Sequence, residues 1–243
     1  MGCQCSKSPE DQNSEFIYTN NINYNLLSDS RNINKKDQIE ENENNFQTID
    51  SNKLNNDEII NISKKQCEEY PNKILSIINQ IRENPKTYSD IIKNSIKNIR
   101  QEESKDGSDK VRFIYENNLK ILLFRGKEAF IEAAEILKEK EPIEPLQFKN
   151  EICIPLPEKV EDINNSNYIK EQVKKINEKY HINAFYKDKI IDPDIAVLMM
   201  IVDDSTKNPG KKRETILNKK FKYIGISCGI IDNHFFSFFS FSN

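Results

Sequence analysis

Eight consecutive apolar residues, Ile195 to Val202 (IAVLMMIV), stand between Asp192-Pro193 and Asp203-Asp204. Asp192 suits a helix cap and Pro193 a first helical position, so the run reads as a short helix. A helix apolar on every side has to sit at the centre of a core, with the remaining elements wrapped around it. The chain continues from it into a paired-acid turn, a basic loop and a strand over Tyr223 to Ile231. Asp232-Asn233-His234 then turns it into a last strand, Phe235 to Phe241. Five phenylalanines with Ser237 and Ser240 mark that last strand as buried on both faces. A lipid-lining role for those rings is the functional alternative.

Upstream, order is expected to begin near Pro71. Ile74, Leu75, Ile77, Ile78 and Ile81 repeat at helical spacing, and Asn84-Pro85 ends that helix and starts another carrying Tyr88, Ile91, Ile92, Ile96 and Ile99. Residues 101 to 110 read as a charged loop. Val111 to Tyr115 and Leu119 to Phe124, split by Glu116-Asn117-Asn118, read as a hairpin. Lys127 to Lys140 is a helix by Phe130, Ala133, Ala134 and Leu137, closed by Pro142 and Pro145. Tyr168 to Tyr180 is another by Ile169, Val173, Ile176 and Tyr180. Helices, mixed elements and a terminal antiparallel hairpin predict an α+β fold of helices layered on a small sheet.

With 243 residues and 36% hydrophobic content, the chain supports one sizeable domain, here 67–243, plus a tail over 1–66. Thirty-six Lys and Arg balance 39 Asp and Glu, which argues against a dedicated nucleic-acid binder. Five cysteines at 3, 5, 67, 153 and 228 lack CxxC or His spacing, as in a reduced cytosolic chain, and no cofactor is implied. No GxGxxG or P-loop supports nucleotide chemistry. No stretch reaches the roughly 18 apolar residues of a spanning helix or the core of a signal peptide.

Met1 to Ser6 (MGCQCS) has Gly2 and Ser6 at the N-myristoylation offset, with Cys3 and Cys5 placed for palmitoylation. One myristoyl chain binds a bilayer marginally, so the cysteines supply the second signal. Residues 7 to 66, rich in Asn, Asp, Glu, Ser and Lys, read as a disordered tether; a coil of some 60 residues would reach roughly 40 Å. The expected location is the cytoplasmic face of a plasma, ciliary or Golgi-like membrane.

Among candidates for chemistry, Asp203 and Asp204 read either as an acid/base or metal pair or as a helix-ending turn whose carboxylates take backbone or Lys partners. Adjacent side chains diverge, which favours the turn. Lys207, Lys211, Lys212, Arg213, Lys219, Lys220 and Lys222 form a basic run, either a solvated loop or a contact for anionic headgroups at about 1 kcal/mol per residue. His181 and His234 have no nucleophile motif beside them. Cys153, in a segment read as helix, and Cys228, in a strand, read as buried structural thiols.

Four segments resemble, in this order, the CAP superfamily, the cysteine-rich secretory, antigen 5 and pathogenesis-related type 1 proteins, also called SCP-like. They are Ile74 to Ile92 (ILSIINQIRENPKTYSDII), Ala133 to Phe148 (AAEILKEKEPIEPLQF), Ile201-Val202-Asp203-Asp204, and Arg213 to Asn218 followed by Phe221 to Ile226. The resemblance is closest to the cysteine-poor branch of protists and bacteria, covers residues 70 to 243, and implies an α-β-α sandwich. Members carry two His and two acids facing each other in a cleft, a set able to hold a divalent cation. Position by position, the first His falls at Lys159, the second at Lys212, and the Glu near Ala184, leaving Asp203 and Asp204. An ammonium in place of each imidazole turns a cation site into an anion-facing one, so no metal is expected. Pro155 and Pro157 shorten or rebuild the helix that should present Lys159.

The expectation is a dually acylated membrane protein with a degenerate, non-catalytic CAP-like domain that binds an anionic lipid or a protein partner. A hydrolase-type domain using Asp203, Glu161 or His181 in a rearranged cleft is the alternative from another class. A structural component of a cilium or cell cortex is the third.

Overall fold

The computed structural model describes residues 56–103, 111–116, 120–159, 166–175, 180–187, 190–205, 208–231 and 234–243. Gly2, Cys3, Cys5, Glu161 and Lys207 lie outside them, as do the side chains of His181, Ala184 and His234. The fold is α+β, with helices and two small sheets.

Helix α1 spans Asn56–Glu83 and α2 spans Pro85–Ser95. The boundary expected near Pro71 is corrected: α1 starts inside the segment read as tether and passes through Pro71, whose missing N–H costs the helix one hydrogen bond. Of the apolar stripe, Ile74, Ile78 and Ile81 are buried, as is Tyr70 ahead of it, while Leu75 and Ile77 are half-buried against the core. Strands β1 (Ile99–Glu103), β2 (Val111–Glu116) and β3 (Lys120–Leu123) form an antiparallel sheet in the order β1-β2-β3. The hairpin is therefore three-stranded, because residues 99–103, read partly as loop, pair along β2 from Ile99 opposite Tyr115 to Glu103 opposite Val111. Helix α3, Lys127–Glu139, buries Ala129, Phe130, Ala133, Ala134 and Leu137 against α2 and the core.

After α3 come a two-residue strand β4 (Gln147–Phe148), a short 3₁₀ turn at Asn150–Ile152, and α4 (Ser166–Lys175). Cys153 follows the 3₁₀ turn in extended backbone, which corrects the helical reading of its segment. Strand β5, Tyr180–Lys187, replaces the end of the helix read over Tyr168 to Tyr180. Helix α5 is Pro193–Val202 and α6 is Lys211–Ile216; β6 is Tyr223–Ile231 and β7 is His234–Ser242.

The second sheet has the order β4-β6-β7-β5, with β4 parallel to β6 and the other pairs antiparallel. Phe235, Phe239 and Phe241 of β7 join the main core with α1 and α5. Phe238, on the opposite face, packs with Ile154, Leu156 and Tyr168. The last strand is thus buried on both faces, as its composition predicts.

Helix α5 holds the centre. Its residues from Ile195 to Val202 are all buried, with α1, α3 and α6 packed around it. Each fully buried aliphatic side chain there contributes about 1.5–3 kcal/mol relative to exposure. Asp192 caps the helix, accepting from the backbone N–H of Asp194 at 2.9 Å and of Ile195 at 3.4 Å. At the other end Asp203 adopts a left-handed conformation, φ 46°, that stops the helix.

One guanidinium ties the loops around this core. Arg82, fully buried near the end of α1, donates to four carbonyls: Glu144 at 2.8 Å, Ile216 at 2.6 Å, Asn218 at 3.2 Å and Phe221 at 3.1 Å.

Candidate functional site

Three of the polar residues expected to carry chemistry, Asp203, Asp204 and Lys212, lie where α5 ends and α6 begins. Asp203 is turned by its left-handed backbone toward α6 and accepts the backbone N–H of Lys212 at 2.9 Å. That N–H belongs to the first turn of α6, where no helical partner exists. The Lys212 ammonium stands 3.1 Å from the other carboxylate oxygen, in ion-pair range though off hydrogen-bond alignment. Lys212 and Asp203 are both buried.

Asp204 points the other way. Its carboxylate accepts the backbone N–H groups of Phe124 and, at 2.8 Å, Arg125, in the turn that leads into α3. Burial raises its carboxyl above the ordinary value, opposed by those N–H groups, the Arg125 charge and the N–H of Gly126. Of the two sequence readings, the helix-ending turn with backbone and Lys partners is the one the geometry has. The two carboxylates serve different partners.

A third acid completes the arrangement. Glu132 on α3 meets Arg213 of α6 at 2.6 Å and also binds Arg125. Arg213 gives its other terminal nitrogen, Nη1, to the carbonyls of Ile201 at 2.9 Å and Val202 at 3.1 Å, closing the last turn of α5. Burial pushes Glu132 up, but the hydrogen bonds and charges of Arg125 and Arg213 outweigh it and hold the carboxyl below its ordinary value. Gly210, φ +80°, lets the chain reach this position: a methyl there would lie 2.6 Å from an Arg213 nitrogen. Around the end of α5, Glu132 thus pairs with Arg125 and Arg213, Asp203 pairs with Lys212, and Asp204 takes backbone N–H groups.

The expected basic surface is corrected accordingly. Lys212 and Arg213 are 6% and 3% exposed and spend their charge inside the fold. Lys211 lies 3.8 Å from Glu214. Lys219, Lys220 and Lys222 are exposed. They lie beside the sheet edge, where Gln147 N–H donates to the Lys222 carbonyl at 2.8 Å and Lys149 N–H to that of Ile224 at 2.9 Å. Phe148 on that edge is exposed, and Lys149 stands over the Tyr223 ring at 4.8 Å.

Asp203 and Lys212 meet, and Asp204 is their neighbour. Lys159 is exposed in the bend after Pro157, and Ala184 lies on β5 opposite Ser237. Among the described residues, none of the contacts of Asp203, Asp204 or Lys212 goes to Lys159. No group of three metal-ligating side chains and no helix long and apolar enough to cross a membrane occurs among the described residues.

Glu132, Arg125 and Arg82 did not stand out in sequence. Glu132 is one acid among several on a polar helix face, and its partners are brought to it by topology alone. No family model matches this chain, and neither a curated protein nor a solved structure matches it.

Proposed function

We propose that this chain is a membrane-anchored binding protein. Acyl chains on Gly2, Cys3 and Cys5 hold it at the cytoplasmic face, and its folded part is a non-catalytic domain of the CAP type that engages an anionic surface or a protein partner. The carrying observation is that the acids and bases in the candidate cleft are consumed internally. Asp203 is closed by Lys212, Glu132 by Arg125 and Arg213, and Asp204 by backbone N–H groups. A catalytic acid or base needs a free position within hydrogen-bond reach of substrate, and these carboxylates are engaged elsewhere.

The order of elements also supports the CAP reading: an amphipathic helix pair, the central α5, and a closing antiparallel hairpin packed between helical core on one face and Ile154, Leu156 and Tyr168 on the other. For the surface, Lys219, Lys220 and Lys222 stand exposed at the entry to β6, whose partner strand carries the exposed Phe148, a set of cations and an aromatic ring that suits an anionic headgroup layer.

Two measurements test this. In cell-free labelling, wild type takes up myristate and Gly2→Ala does not; no uptake by either removes the anchor. The acylated protein should sediment with phosphatidylserine vesicles more than with phosphatidylcholine vesicles. Replacing Lys219, Lys220 and Lys222 by Glu should abolish the difference. Equal binding to both vesicles by wild type would overturn the lipid contact and leave a protein partner.

A further inference from the structure

Cys67, on α1, and Cys228, on β6, are 161 residues apart in the chain, yet the Cys228 thiol donates to the Cys67 carbonyl oxygen at 3.1 Å. The single S–H of Cys228 can turn instead to the neighbouring Cys67 sulfur, and both thiols are free and half-buried. Helix α1 packs along β6, so each sulfur is carried by a well-formed element.

The pair is chemically asymmetric. The hydrogen bond from Cys228 holds the Cys67 thiol below its ordinary value, against burial and the charge of Glu68, which push it up. That same contact, with burial, drives the Cys228 thiol far up. A thiol that ionises more readily beside one whose ionisation is suppressed is the arrangement of an attacking and a resolving cysteine. Cys153 differs: its S–H faces the carbonyls of Lys149 and Ile226, and burial raises it.

We propose that Cys67 and Cys228 form a reversible disulfide that fastens α1 to β6 when a small-molecule disulfide is abundant. The Cys67 thiolate attacks one sulfur of the small disulfide; that S–S bond breaks and one small thiolate leaves. The Cys228 sulfur then attacks Cys67 in the mixed disulfide, its proton passes to solvent, and the second small thiolate departs. Two protein thiols are oxidised by two electrons and one small disulfide is reduced to two thiols. Excess small thiol reverses both steps.

The place of the bond gives it a consequence. Ahead of Tyr70, Lys64, Lys65, Glu68 and Glu69 are exposed, and Pro71 leaves the helix one hydrogen bond short. In the reduced state this front part of α1 is held at Cys67 and at Tyr70, whose ring meets Phe235 edge-on at 4.9 Å. The disulfide replaces the weaker of those holds with a covalent one.

The test uses full-length protein equilibrated with oxidised glutathione, then alkylated and digested. A Cys67–Cys228 peptide lighter by two hydrogens than its separate halves is expected. A faster band on non-reducing electrophoresis and a higher unfolding midpoint, both lost on reduction, should accompany it. Cys153→Ser should retain the cross-link, whereas Cys67→Ser and Cys228→Ser should lose it. Three results from wild type overturn the proposal: recovery of Cys67 and Cys228 as separately alkylated thiols, recovery of glutathione adducts that never resolve, or pairing with Cys3 or Cys5 instead. Because these are read from the wild-type digest, they stand whether or not the serine variants fold.

Discussion

The Lys212 ammonium lies 3.1 Å from one oxygen of Asp203 while the backbone N–H of the same lysine donates to the other oxygen at 2.9 Å. One carboxylate thereby neutralises a buried cation, satisfies an unpaired helix-end donor and sits on the left-handed residue that stops the central helix.

Breaking this pair on one side should cost more than removing it. Lys212→Met leaves Asp203 buried without its counter-charge and is expected to destabilise by about 3–5 kcal/mol. Asp203→Asn keeps a residue tolerant of the left-handed conformation but strands the ammonium. The double variant Asp203→Asn/Lys212→Met should recover much of the loss. Urea unfolding of the four proteins at neutral pH measures the coupling, and additive losses would count against a paired role.

The same network sets how stability answers to acid. Glu132 is held below its ordinary value of 4.5, so its contribution is present above that value and lost as pH falls through the lower folded one. Asp204 is raised above its ordinary value of 3.8, so its contribution is present below 3.8 and is lost as pH rises through the raised one. Glu132→Gln is therefore expected to flatten the acid limb of a plot of urea midpoint against pH, whereas Asp204→Asn should leave that limb in place. An unchanged acid limb in Glu132→Gln would remove Glu132 from the account.

Two glycines on β6 should respond differently to the same small change. A methyl at Gly225 would lie 2.7 Å from the Ile152 carbonyl carbon, 2.7 Å from the Ser240 hydroxyl and 2.8 Å from the Cys153 nitrogen. Backbone cannot swing aside, so Gly225→Ala should lose about 1–3 kcal/mol, the usual range for overpacking. At Gly229 the obstacle is the end of a flexible, half-buried side chain, Leu156, at 2.5 Å, rather than backbone. Gly229→Ala should cost less, and thermal unfolding of the two variants side by side decides it.

Arg82 should be irreplaceable by another long side chain. Burial lowers its guanidinium to about 10, which leaves it charged at neutral pH. Neither Lys, with a single nitrogen, nor Met reaches all four carbonyls. Arg82→Lys and Arg82→Met are both expected to lose about 3–5 kcal/mol, since buried acceptors are left unpaired. Chemical denaturation measures this, and a loss below that of a surface substitution would contradict it.

Where sequence spoke through spacing, it was readable. The stripes of α1 and α3, the all-apolar α5 with its Asp192 cap, and the doubly buried β7 follow from periodicity and composition; the stripe read along α2 holds at Tyr88 and Ile92, whereas Ile91 is exposed and Ile96 and Ile99 lie beyond the helix end, Ile99 on β1. Where it had to speak through distant partners, it was silent. Strand β1 is mostly charged, and only pairing with β2 makes it a strand. Tyr180 falls on the same helical spacing as Val173 and Ile176, so the period ran on where the backbone changes to β5. Asp203 and Lys212 were legible as a turn with a lysine partner because nine residues separate them. Glu132 and Arg213 are 81 apart, and nothing local joins them. The basic run misled because charge in sequence carries no sign of burial, and two of its members had partners waiting inside.

The four carbonyls held by Arg82 come from the strap after α3 and from the turn between α6 and β6. Stretches that share one donor cannot loosen one at a time. The ends of these segments should open and close as a single unit, so amide hydrogens from 216 to 221 would exchange with solvent in step rather than each at its own pace.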